Sequence, residues 1–183
     1  MLTTRFLSES EYAQYGDWMK SRDQEARNLY FGYNASDENI DSLIERVLAN
    51  PDDNYFLVAE TVNGWIGTIH IAITGSEVEF GLMVTKECRG QGIASQMMDE
   101  ALVWARNRGY RELFMHCLSY NQPVKRLCHK YGLETSNMLG ESETKVTLPP
   151  PNMLTYTKEA AIRNKQMWRM MLRNTWPGIE IYG

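Results

Sequence analysis

A chain of 183 residues with 43% hydrophobic and 23% charged residues has the balance of a soluble globular protein, enough for one domain with a short appendage. No apolar run is long enough for a bilayer, Met1 to Arg5 lacks the apolar core of a signal peptide, and three cysteines without metal-ligand spacing (Cys88, Cys117, Cys128) favour free thiols, so a cytoplasmic chain without a disulfide framework or metal site is expected. Net charge is −4 but uneven: residues 1–60 hold 5 Lys or Arg against 12 Asp or Glu, and the remainder holds 14 against 11, an acidic first third that suits a cationic acceptor or is a solvated face.

In chain order, Thr4 to Leu7 reads as a short strand, and Ser8 with Glu11 has capping-box spacing, so a helix is expected there. Ala13 to Gly32 reads as helix and then loop. Ile40, Leu43, Ile44, Val47 and Leu48 form one apolar helical stripe, ended by Asn50-Pro51. Tyr55 to Glu60, Trp65 to Ile73 and Glu77 to Val84 read as a three-stranded meander turned at Asn63-Gly64 and Gly75-Ser76. A helix follows from Gly92 to Arg108, then a strand from Leu113 to Leu118. That crossover requires the strands on either side of it to run parallel. Met153 to Thr157, after three prolines, is expected to be the last strand. The fold class is therefore α/β (α+β) with a mixed sheet, an antiparallel meander followed by a strand–helix–strand crossover.

Residues 1–157 are taken as one domain and residues 158–183 as a C-terminal helical extension, packed on that domain or on a partner subunit. The extension sets Lys158, Arg163, Lys165, Arg169 and Arg173 against Glu159, with Met167, Trp168, Met170 and Met171 among them and a tail through Trp176, Ile179, Ile181 and Tyr182. A homodimer contact or a lid over a cleft fits this pattern. Nucleic acid does not, because aromatic–basic alternation is absent.

Two stretches carry the chemistry. Leu82 to Ala94 orders an apolar strand, a turn with Arg89, Gly90, Gln91 and Gly92, and a helix start at Ile93, Ala94 and Ser95. Glycines let backbone approach an anion, and a helix start aims unpaired N–H groups at it. Asn121 to Leu133 is a short helix entered through Asn121 and Pro123 and stopped by Gly132. Together they resemble the GNAT superfamily of acetyl-CoA-dependent N-acetyltransferases. Arg89, Gly92 and Ala94 fill that family's Arg/Gln-x-x-Gly-x-Gly/Ala loop. Asn121, Leu127 and Gly132 match its later helix, with Val124 in place of Ala and Cys128 where Tyr is usual.

The resemblance implies a GNAT-like fold whose two parallel strands splay to admit the cofactor. It implies acetyl-CoA as cosubstrate, a small-molecule or peptide amine as acceptor, and direct transfer in a ternary complex. Cofactor contacts are expected from Leu82, Met83, Val84, Arg89, Gly90, Gln91, Gly92, Ile93, Ala94, Ser95 and Asn121. Glu79, five residues before Val84, is the expected base, with burial raising its pKa. Cys128 is the expected acid toward the coenzyme thiolate, against the bland reading of a small buried core residue. His70 and His116 read as satisfied strand residues. The competing function is a non-catalytic acyl-CoA-binding regulatory module. A nucleotide-phosphate loop is disfavoured, since the P-loop pattern is missing.

Overall fold

The computed structural model describes residues 2–118, 120–138 and 141–175. Seven strands form one sheet in the order β1-β2-β3-β4-β5-β7-β6, from β1 (Thr3–Phe6), β2 (Asn54–Thr61), β3 (Gly64–Thr74), β4 (Glu77–Val84), β5 (Glu112–Leu118), β6 (Glu134–Met138) and β7 (Glu141–Thr147). Every neighbouring pair is antiparallel except β4 and β5. The helices are α1 (Tyr12–Lys20), α2 (Gln24–Phe31), α3 (Asp37–Ala49), α4 (Ile93–Asn107), α5 (Gln122–Lys130) and α6 (Met153–Thr175).

Strand alternation divides the core in two. Leu57, Ala59, Ile69, Ile71, Val78 and Phe80 pack against Met97, Ala101 and Trp104 of α4. Phe56, Val58 and Met83 point the other way, onto Tyr12, Tyr15 and Met19 of α1 and Ile40, Ile44 and Val47 of α3. Of the stripe read from the α3 sequence, Ile40, Ile44 and Val47 are buried on the sheet and Leu43 partly so, whereas Leu48 is exposed. Phe56 is fully buried, with Tyr15 at 4.0 Å, His70 at 4.5 Å and Tyr12 at 4.9 Å between ring centroids. Phe56→Ala is expected to lower unfolding free energy by about 3–5 kcal/mol, read as a shifted denaturant midpoint at constant slope.

Two expectations are corrected. Residues 24–31 are a helix, not a loop: the Asp23 carboxylate accepts the Ala26 N–H at 2.7 Å, and Gly32 closes the end at φ 79°. Met153 to Thr157 is not a strand but the start of α6. Asn152 and Thr155 cap it reciprocally, each backbone N–H donating to the other's side-chain oxygen at 3.0 Å. The sheet is instead extended by the polar hairpin β6–β7, which the sequence reading did not place. Helix α6 lies on α4 and β1: Asn107 donates to Thr155 and Glu159, and Arg108 pairs with Glu159 at 2.9 Å. The expected tail from Trp176 onward lies outside the described residues. No helix among the described residues is long and apolar enough to cross a membrane.

Candidate functional site

Strands β4 and β5 pair only from Glu77↔Glu112 to Glu79↔Phe114. Beyond that rung β4 runs on to Val84 and β5 to Leu118 with no shared ladder, so the β4 edge from Phe80 onward is open. Tyr30 of α2 sits against this edge. A Cβ at Gly81 would lie 2.9 Å from the Tyr30 hydroxyl, so the close approach requires glycine.

The gap opens into a cleft of about 620 Å³. Leu82, Met83 and Val84 of β4 form one wall. Arg89, Gly90, Gly92, Ile93, Ala94 and Ser95 form the base, and Asn121, Val124 and Leu127 at the start of α5 form the far wall. All the residues expected on the cofactor side therefore converge here except Gln91, whose side chain donates to the Glu87 carbonyl at 3.3 Å. Gly90 and Gly92 take φ 77° and 79°, and Gly92 is the left-handed N-cap of α4. The first bond of that helix runs from Gln96 N–H to Gly92 C=O at 3.0 Å. Among the described residues, no backbone carbonyl accepts the N–H of any residue from Gly90 to Ser95. Of these residues, Gly90, Gly92, Ile93, Ala94 and Ser95 line the cleft. The Arg89 guanidinium donates to Val84 C=O at 3.2 Å and lies 3.8 Å from Glu25, which ties the loop to β4 and α2. Asn121 is buried and caps α5 by accepting the Val124 N–H. Arg126 and Lys130 of α5, and Glu25 and Asn28 of α2, also line the cleft. Sequence reading missed them because their helix faces carry no motif.

Two expected catalytic features are corrected. Cys128 does not reach the cleft. It is fully buried in the α4-side core, its sulfur 4.0 Å from Met115 Sδ and 3.6 Å from Thr144 Oγ1, so it has no path to a departing thiolate. Glu79 is not buried as expected: its side chain is 53% exposed. Tyr131, close in sequence to Cys128, is committed elsewhere, donating to Ser95 C=O and Asp99. The hydroxyl at the mouth of the gap belongs to Tyr30, which burial holds well above the usual phenol range, with Tyr15 and Glu79 adding to it.

A second cavity of about 660 Å³ shares Tyr30 with the first and lies between α3 and the sheet. Glu79 and His116 line it side by side, 3.9 Å apart, on the two diverging strands. His70 of β3 also lines it. Asn54 donates through Nδ2 to Asn50 C=O at 2.9 Å, which leaves its Oδ1 to accept the His70 Nε2–H at 2.9 Å. The imidazole is thereby held as the Nε2–H tautomer, with Nδ1 a lone-pair acceptor.

Burial lowers the His70 pKa to about 4. The folded state therefore binds fewer protons than the unfolded chain between about pH 6.5 and 4, so stability is lost as pH drops through that window. The loss is expected to reach about 3 kcal/mol and to vanish in His70→Gln, as read by urea melts across pH. The Glu11 carboxylate, held at about 2 chiefly by its hydrogen bond from Arg5, loses its contribution only at lower pH.

A family model described as the acetyltransferase (GNAT) family matches residues 17–133. A segment of 54 residues is 35% identical to a Bacillus subtilis (strain 168) protein provisionally named phosphinothricin acetyltransferase YwnH, covering 30% of this chain and 33% of that protein. The match thus spans about a third of that curated relative's length. Among solved structures, the GNAT domain of S. lividans PAT aligns with a TM-score of 0.66 at 18% identity, over 79% of this chain and 89% of that one. Spermidine N-acetyltransferase from Vibrio cholerae, in complex with CoA and spermine, aligns with 0.64 at 15% identity over 80% and 95%. The PaiA N-acetyltransferase of Thermoplasma acidophilum, in complex with coenzyme A, aligns with 0.60 at 17% identity over 80% and 99%.

Proposed function

The chain belongs to the acetyltransferase (GNAT) family, and from that premise we propose that it moves an acetyl group from acetyl-CoA to a primary amine by direct attack in a ternary complex. One observation carries the reading: a cleft floored by unspent backbone donors meets a second cavity, lined by Glu79 and His116, at Tyr30, where β4 and β5 part. The donor set suits the cosubstrate. Amides from Gly90 to Ser95 and the positive end of α4 match a diphosphate, Arg126 and Lys130 add charge, and Leu82, Val124 and Leu127 offer apolar wall to a pantetheine arm. The open β4 edge supplies backbone groups for that arm to pair with.

In the second cavity the amine loses a proton to Glu79, directly or through His116. Its nitrogen bonds to the acetyl carbon, the carbon–sulfur bond breaks, and the thiolate takes a proton from solvent. Fixing both reactants in adjoining cavities removes much of the entropic barrier. The neighbours that bind CoA, and the one that binds spermine, support the cofactor class and an amine acceptor without specifying this chain's own acceptor.

The test is release of CoA thiol across a panel of amines, with mass detection of the acetylated product. Turnover with at least one amine is expected. Tight acetyl-CoA binding with no product from amino acids, polyamines, peptides or aminoglycosides would favour the alternative, an acyl-CoA-binding module without turnover. That alternative draws on Cys128, which leaves the family's tyrosine position without a hydroxyl.

A further inference from the structure

The second cavity is charged differently at its two sides. Its α3 wall presents Arg46, on the helix face that also carries Asn39, Leu43, Val47 and Asn50, while the sheet side presents Glu79 and His116. Arg5, Arg27, Arg89 and Arg108 each hold a carboxylate. The Arg46 guanidinium does not. Its Nε donates to Ser42 C=O at 3.3 Å, one turn back in its own helix, and among the described residues no carboxylate lies within 4.0 Å of it. The two outer nitrogens remain, a planar fork suited to an oxyacid anion. Phe31, Tyr33 and Ile73 give the same cavity an apolar stretch.

We propose that the acceptor is a small zwitterion of the amino-acid class: a primary amine at the Glu79–His116 side beside Gly81, and a carboxylate or phosphonate on the Arg46 fork. This rests on the transferase reading and deepens it. The amine must lie where the two cavities meet, because the thioester enters there. Arg46 then holds the other end of the molecule, away from the reacting atoms. It is a specificity residue, touching substrate but no bond that changes. Asp53 also lines the cavity, and with Glu79 it would instead favour a second cationic group on the acceptor. The experiment therefore opposes these two chemistries.

Steady-state kinetics with purified full chain would compare amino acids, their decarboxylated amines, aminoalkyl phosphonates and linear diamines. Acid-bearing amines should outperform their decarboxylated partners by about tenfold or more in kcat/KM, the worth of one charge-assisted contact. Arg46→Gln should raise KM for the acid-bearing set by about tenfold to a hundredfold, with kcat little changed and the decarboxylated amines unaffected. Arg46→Lys should restore part of the loss, and the carboxylate and phosphonate arms would say which oxyacid is preferred. Arg46 is exposed, so thermal melts of the variants should match the parent. Preference for diamines, or an Arg46→Gln variant that treats all acceptors as the parent does, would overturn the zwitterion proposal while leaving the transferase standing. No turnover with any amine, with acetyl-CoA still bound, would overturn the transferase reading and this one with it.

Discussion

Glu79→Gln should lower kcat/KM for the amine roughly 10²- to 10⁴-fold, the usual worth of a positioned proton acceptor, while leaving acetyl-CoA affinity unchanged. The asymmetry follows from placement. Glu79 lines the cavity proposed for the acceptor and not the cleft proposed for the cofactor, and its side chain is half exposed. Gln keeps the shape and an acceptor oxygen but cannot take the proton. His116, 3.9 Å away on the opposite strand, gives the control. If the carboxylate only orients that imidazole, His116→Gln should cost as much as Glu79→Gln, and the double variant little more than either, since groups acting as one unit are not additive. If Glu79 acts alone, His116→Gln is mild. Full activity in both single variants, measured with saturating acetyl-CoA, would remove the pair from the mechanism.

The parts of the fold that were legible in the sequence share a cause. The meander, the crossover helix and α3 carry long periodic apolar patterns, because each buries one whole face: Ile93, Met97, Ala101 and Trp104 at helical spacing are all inside. The elements missed are those that periodicity does not mark. Helix α2 has eight residues and one buried side chain, Ala26, so its caps at Asp23 and Gly32 were the only signal. Hairpin β6–β7 is mostly Glu, Thr, Ser, Asn and Lys, with Val146 its one residue packed as a hydrophobe on the core among the described side chains, and it pairs through backbone to β5. At the site, the phosphate-type loop was readable because backbone geometry demands its glycines. The acceptor side was not. Tyr30, His70, Asn54 and Arg46 come from four elements, and no spacing in the chain links them; only folding brings them to one cavity. Cys128 misled for a related reason: a motif position says which helix turn a residue occupies, while the helix's rotation decides whether it faces cleft or core.

Gly92→Val should weaken acetyl-CoA binding by about 100-fold or more, with a matched control at the other end of the same helix. Gly92 and Gly109 flank α4 with nearly equal left-handed torsions, φ 79° and 81°, and a Cβ at either would meet no atom within 4 Å. A β-branched side chain is strained at that φ, so each variant should lose about 1–3 kcal/mol of stability without any clash. Only at Gly92 does the same change reach a ligand. There the backbone must either hold its strain or rotate, and rotation turns the amides of Ile93, Ala94 and Ser95 away from the diphosphate. Two or three charge-assisted hydrogen bonds at about 1.5–3 kcal/mol each set the scale of the loss. Calorimetric titration with acetyl-CoA, beside thermal melts of both variants, separates the outcomes. Equal melting losses with binding lost only in Gly92→Val place the diphosphate on the helix start. Equal binding in the two would mean that those amides hold nothing, and the cleft between β4 and α5 would need another ligand.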